Sequence, residues 1–255
     1  MLNSIFYKHP QMSDFFIVPQ WLSAVAGTRF YYPAAYLDHS EALEAFQDVI
    51  DEFWFADPHY GPGLNLVPAL AGHPEFILLN AEKSGVINSR LESRRSPSGK
   101  SYRFLEPSRL IEHYERTDGR KLTVVRRRGF GQIGLMEEFP EKGLGIFMHR
   151  GDSDNESGSG VWFLANRKAS YAPCGMLFDK LASRLSDESL IVSDGSNSRI
   201  NRLRTFLNKD VSGEAAFNHH QGQDFEFRGF HWSCVGWLGK RYGPTLVWGL
   251  KRIHK

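Results

Sequence analysis

At 255 residues the chain suits one α/β domain with insertions, or two small ones. Hydrophobic residues at 41% and aromatic residues at 13% supply a sizeable core and exclude a disordered chain. The net charge of +2 singles out no partner, and Cys174 and Cys234 alone exclude a disulfide framework or a cysteine-rich zinc site, so both read as small buried apolar groups.

Residues 1–27 read as an N-terminal extension ending in a short helix, with Gly27 as its C-cap. Met1 to Gln11 hold Lys8 and His9 and no long apolar core. The apolar stretch from Phe15 to Ala26 is interrupted by Pro19 and Gln20 and is too short to span a bilayer. The expectation is a soluble, cytoplasmic protein with no membrane partner.

Residues 29–32 form an apolar β-type run, and a helix follows from a cap at Asp38 or Ser40 through Val49. Ala42, Leu43, Phe46, Val49 and Ile50 make its apolar stripe. Residues 53–56 form a second strand, which completes a β-α-β unit of the kind that favours a parallel sheet. Pro62, Gly63, Pro68, Gly72 and Pro74 then break the chain before a strand at 75–79. Residues 96–100 read as a loop, 102–105 as a strand and 108–114 as a short helix. Residues 121–128 and 132–137 read as a hairpin turned at Gly129-Phe130-Gly131. Between Arg90 and Arg128 twelve basic residues face five acidic ones, an excess that suits phosphate or nucleic acid. The region of about 61–140 reads as a partly inserted basic region of one domain covering 1–255.

Residues 144–148 and 190–193 are further parallel-type strands. Between them lie an acidic Gly/Ser-rich loop at 151–160, an apolar run at 161–164 and a helix at 173–185 with Met176, Leu177, Leu181 and Leu185 on one face. A helix at 201–207 precedes the closing strands at 225–227, 231–238 and 245–251, where Phe230, Trp232, Trp237 and Trp248 read as sheet-packing residues.

One unit recurs four times: an apolar run that stops on a small polar cluster. The ends are Pro33 to Asp38, Asp57 to Tyr60, His149 to Ser153 and Asp194 to Asn197. In open α/β sheets ligands bind outside the carboxyl ends of the strands, so four such ends suggest one crevice.

This order of elements resembles the Rossmann-like fold of S-adenosylmethionine-dependent methyltransferases, which has seven strands and a reversed hairpin closing the sheet. The fold class implied is α/β, Rossmann-like, a mostly parallel sheet with a C-terminal antiparallel hairpin and a central insertion. The chain is also similar to uncharacterised bacterial proteins that share the motifs His-Arg-Gly-Asp-Ser (149–153) and Ser-Asp-Gly-Ser-Asn (193–197). The resemblance implies cofactor binding by the turn Tyr32-Pro33-Ala34-Ala35-Tyr36-Leu37-Asp38, which has small residues at 34 and 35 but no glycine. It implies a ribose-binding role for Asp57, and contacts from Arg150, Asp152, Ser153 and Asp194. Asp57-Pro58-His59-Tyr60 also resembles the Asp-Pro-Pro-Tyr signature of adenine amino-methyltransferases, in which the aromatic ring stacks on a flipped base.

The leading expectation is therefore methyl transfer from S-adenosylmethionine. One alternative is a non-catalytic binding module for nucleotide or nucleic acid, using the basic stretch from Arg90 to Arg128. Another is a hydrolase that handles phosphate with a divalent cation at Asp152 and Asp194. Asp152, Asp154 and Glu156 alternate as cation ligands do, but the twelve-residue calcium pattern fails and an acidic turn is the simpler reading. His149 reads as a hydrogen-bonded strand-end group or as a general base. His219, His220 and His231 match no zinc spacing, and Ser196 lacks the second glycine of a nucleophile elbow.

Overall fold

A computed structural model of the protein describes residues 15–33, 35, 39–57, 60, 62–85, 108–129, 131–150, 177–195, 211–239 and 244–254. Its strands are β1 (Phe16–Ile17), β2 (Arg29–Pro33), β3 (Glu52–Asp57), β4 (Phe76–Ser84), β5 (Arg109–Arg116), β6 (Lys121–Arg128), β7 (Leu144–His149), β8 (Leu185–Ser193), β9 (Phe225–Phe227), β10 (Phe230–Leu238) and β11 (Thr245–Arg252). They join in one sheet in the order β1-β10-β11-β8-β7-β2-β3-β6-β5-β4, with β9 beside β10. The five central strands, β8, β7, β2, β3 and β6, run parallel. Both flanks are antiparallel.

The central strands are apolar on both faces because helices cover both sides. Phe30, Tyr32, Phe53, Phe55, Val124, Ile146, Met148, Leu190 and Val192 pack with α2 (Ser40–Phe46) through Leu43 and Phe46. Trp21 of α1 (Pro19–Ala24) lies on this same core, its indole so close to β11 that a Cβ built on Gly249 would stand 2.5 Å from the ring. On the other face Tyr31, Trp54, Ala56, Val125, Phe147 and Ile191 pack with α3 (Gly131–Glu138), α4 (Leu177–Arg184) and α5 (Gly213–His220).

These helices are six to eight residues long. An eleven-stranded mixed sheet with such short helices is not the helix-rich α/β Rossmann-like fold expected from the sequence. Three segments carry the correction. The expected helix at 108–114 is β5, where Leu110, Glu112 and Tyr114 are buried and their neighbours half-buried, a period of two. The expected strand at 132–137 lies in α3. The segment assigned to its hairpin partner is β6, which pairs in parallel with β3 and so extends the centre of the sheet. The expected elements at 102–105, 161–164 and 201–207 lie outside the described residues.

Among the described residues no helix is long and apolar enough to cross a membrane.

The Ser212 hydroxyl caps α5 by accepting from the Ala215 amide at 3.1 Å. At the other end His220 sits edge-on to Trp248, 5.6 Å between ring centres. Burial, reinforced by neighbouring His219, holds the His220 imidazole below its ordinary pKa. The unfolded chain therefore takes up this proton first as pH falls below about 6.5, and stability present above that value is lost on the way down. His220→Phe is expected to flatten this slope. Melting midpoints at pH 7.5 and pH 5.5 check it, and an equal fall in both proteins would refute the assignment.

Candidate functional site at the carboxyl edge of the parallel strands

Chain order and space order part company at β2. From β2 the chain moves to β3 on one side and later to β6 beyond it, then returns to β7 on the opposite side and goes on to β8. Between β2 and β7 the strand order thus has a topological switch point, where the connections leave in opposite directions.

The register brings the strand ends into line. Pro33 pairs with Ala56, Ala56 with Arg127, Asp57 with Arg128, and His149 with Ser193. Side chains alternate between faces, so Tyr32, Asp57, Arg126, Arg128 and Arg150 share the α2 face, and Tyr31, Arg127, His149 and Ser193 share the α3 face. Nearly all of this polar edge is buried.

On the α2 face, Asp57 is 1% exposed. Its carbonyl accepts from the Gly129 amide at 3.2 Å and the Tyr60 amide at 3.4 Å. Burial pushes the Tyr60 phenol well above its usual pKa and nearby Asp57 adds to this, so the hydroxyl keeps its proton. The Tyr60 ring packs in the core at 1% exposure, as buried as Asp57. Ala35 is buried, and its amide donates to the Ala56 carbonyl at 3.4 Å. The Tyr32 hydroxyl donates to the Arg150 carbonyl at 3.3 Å, and the Arg150 guanidinium donates to Glu41 of α2. Asp194 is half-buried beside Gly195, whose amide donates to the Ser193 hydroxyl at 3.0 Å and whose φ of 77° suits glycine.

Beside Asp57, Arg126 forms an ion pair with Glu112 of β5 at 2.8 Å. Glu112 also accepts from the Ala69 amide at 3.1 Å and from the Tyr114 hydroxyl at 3.0 Å. On the α3 face one carboxylate, Glu138, meets both Arg127 at 3.3 Å and Arg109 at 3.0 Å. The Tyr31 hydroxyl donates to the Gly131 carbonyl at the start of α3. A Cβ on Gly134 would stand 2.7 Å from that hydroxyl and 3.0 Å from Arg127 Cδ, so glycine lets α3 settle on the strand ends. His149 is fully buried, its ring stacked at 6.5 Å on Phe147.

Of the strand-end residues predicted to bind ligand, the structure brings Tyr32, Pro33, Ala35, Asp57, Arg150 and Asp194 to one edge. Ala34, Asp38, Asp152 and Ser153 lie outside the described residues, as do Ser196 and Asn197. Sequence reasoning counts Arg126, Arg127 and Arg128 in the basic stretch but misses their place at the end of a parallel strand, and it misses Glu41. The signal is present at β6, an apolar run stopping on three arginines, where the sequence predicts a hairpin strand.

Within the described part of the basic stretch, Lys121 is exposed and several arginines are held by carboxylates. Arg109, Arg126 and Arg127 are engaged as above. Arg116 pairs with Asp48 and Asp118, and Arg120 pairs with Asp51 at 2.6 Å. The Arg116 guanidinium holds the Asp118 carboxyl down to about 2. These last pairs tie the β5–β6 turn to the loop before β3, at the opposite edge of the sheet.

Among the described residues no three His, Cys, Asp or Glu side chains gather as a metal site. His231 instead meets Asp224 at 3.3 Å. Burial pushes the Cys234 thiol up to about 12, which leaves it protonated and inert. Two open hollows of about 520 and 510 Å³ flank Leu78 at the β4 margin, and Glu112, the partner of Arg126, lines the second. In comparisons with known proteins the chain matches no family model, no curated protein and no solved structure.

Proposed function

We propose that the crevice at the β2/β7 switch point binds a nucleoside-bearing small molecule, with S-adenosylmethionine as its cofactor and methyl transfer as its reaction. The observation that carries this reading is the strand arrangement: five parallel strands end at one edge, and their order reverses where Pro33, Ala35 and Arg150 stand. An aspartate ends the strand next to the switch point, where an acidic side chain can accept from both ribose hydroxyls. In this reading Asp57 holds the ribose, the short residues Pro33 and Ala35 let the backbone approach the ligand, and Asp194 bounds the far side. Catalysis rests on placing the acceptor in line with the methyl group. The engagement of Arg109, Arg116, Arg120 and Arg126 by carboxylates favours a small-molecule site over a nucleic-acid surface.

Titration calorimetry with S-adenosylmethionine and S-adenosylhomocysteine tests the reading. One site is expected, and Asp57→Asn is expected to weaken it about 10- to 100-fold, the worth of hydrogen bonds to a charged acceptor. Equal affinity in the variant would remove Asp57 from the ribose role.

A further inference from the structure

The switch point is bridged by a buried ion pair that no strand pairing supplies. Glu41 lies in the first turn of α2, the helix that follows β2, and Arg150 follows the last residue of β7. The two are 109 residues apart in sequence, and their side chains are 9% and 0% exposed where they meet. Arg150 is also gripped through its backbone, because its carbonyl accepts from Tyr32 of β2. The N-terminal end of α2 is held on its other flank by His39, whose ring meets the Ala69 carbonyl at 3.1 Å and Phe55 at 5.3 Å. Glu41 thus spans from the helix after β2 to the exit of β7, across the two strands whose connections diverge.

We infer that Glu41 is a positioning residue: through Arg150 it sets where α2 stands beside the switch point. The inference rests on the ligand site proposed above and deepens it. It also reassigns Arg150, whose guanidinium serves Glu41 as a strut between β7 and α2.

The test uses the full chain carrying Glu41→Gln, which weakens the pair, and Glu41→Leu with Arg150→Met, which replaces it with apolar side chains of similar size. Replacing both partners of a buried pair is often close to neutral for stability, so the double variant is expected to melt near the unaltered protein. In ligand-free protein, amide hydrogen exchange across α2 and at Ala35 is expected to quicken about tenfold in the double variant, and at least as much in Glu41→Gln, which leaves the Arg150 charge buried without its partner, while β8 and β11 keep their rates. Affinity for S-adenosylhomocysteine is expected to fall about tenfold in the double variant with its melting midpoint unmoved, a split that a merely structural role would not produce. Unchanged exchange in both variants would overturn the inference. So would quicker exchange with full affinity. Absence of binding by the unaltered protein would overturn the proposed function instead, and the exchange rates would then decide the strut on their own.

Discussion

Arg126→Met is expected to lower the free energy of unfolding by about 3–5 kcal/mol, the usual cost of leaving one member of a buried ion pair without the other. Arg126 and Glu112 are each 1% exposed, and the guanidinium stands 2.8 Å from the carboxylate. Without it Glu112 keeps a charge inside the protein, held among the described residues by the Ala69 amide and the Tyr114 hydroxyl. Adding Glu112→Gln removes that charge yet retains an acceptor for both donors, so the double variant is expected to recover most of the loss. Urea unfolding with an unchanged slope checks both. A single variant within about 1 kcal/mol of the unaltered protein would contradict the account, because a pair open to water costs no more than that.

Trp248→Ala is expected to cost about 3–5 kcal/mol, the range for removing a large aromatic side chain from a packed core. Trp248 is 1% exposed in β11, between β8 and β10, and pairs across to Ile191 and Cys234. Its ring meets Phe225 edge-on at 5.7 Å, and Phe225 in turn stacks on Trp232 at 5.7 Å. The loss would loosen the closing strands from β8, whose carboxyl end carries Asp194. Trp248→Phe fills part of the space and is expected to lose less. Equal stability of the alanine and phenylalanine variants would show that the indole does not fill a packed site.

The strand ends were legible in the sequence because a strand buried on both faces leaves a continuous apolar run that must stop where it meets water. Phe53-Trp54-Phe55-Ala56 before Asp57, and Leu190-Ile191-Val192 before Ser193 and Asp194, show this plainly. The neighbour relations were not legible. β3 and β6 pair over a gap filled by β4, β5 and their connection, and no local pattern announces a parallel partner so distant. The period of two in β5 is short and becomes clear only where the strand pairs with β4 and β6. The helices proved shorter than the apolar stripe of residues 42–50 implied, since α2 ends at Phe46 while Val49 and Ile50 lead toward β3. Glu41 was invisible for a related reason: beside that stripe it reads as a solvent-facing residue, and only the return of β7 beside β2 buries it against Arg150.

The proposed ligand site lies at the β2/β7 switch point. Amide chemical-shift mapping by NMR during titration with S-adenosylhomocysteine tests it most directly. The expected result is saturable shifts centred on Ala35, Asp57, Gly129, Arg150 and Gly195, with the β4 margin around Leu78 unmoved. Shifts confined to the β4 margin, or none anywhere at millimolar ligand, would contradict it.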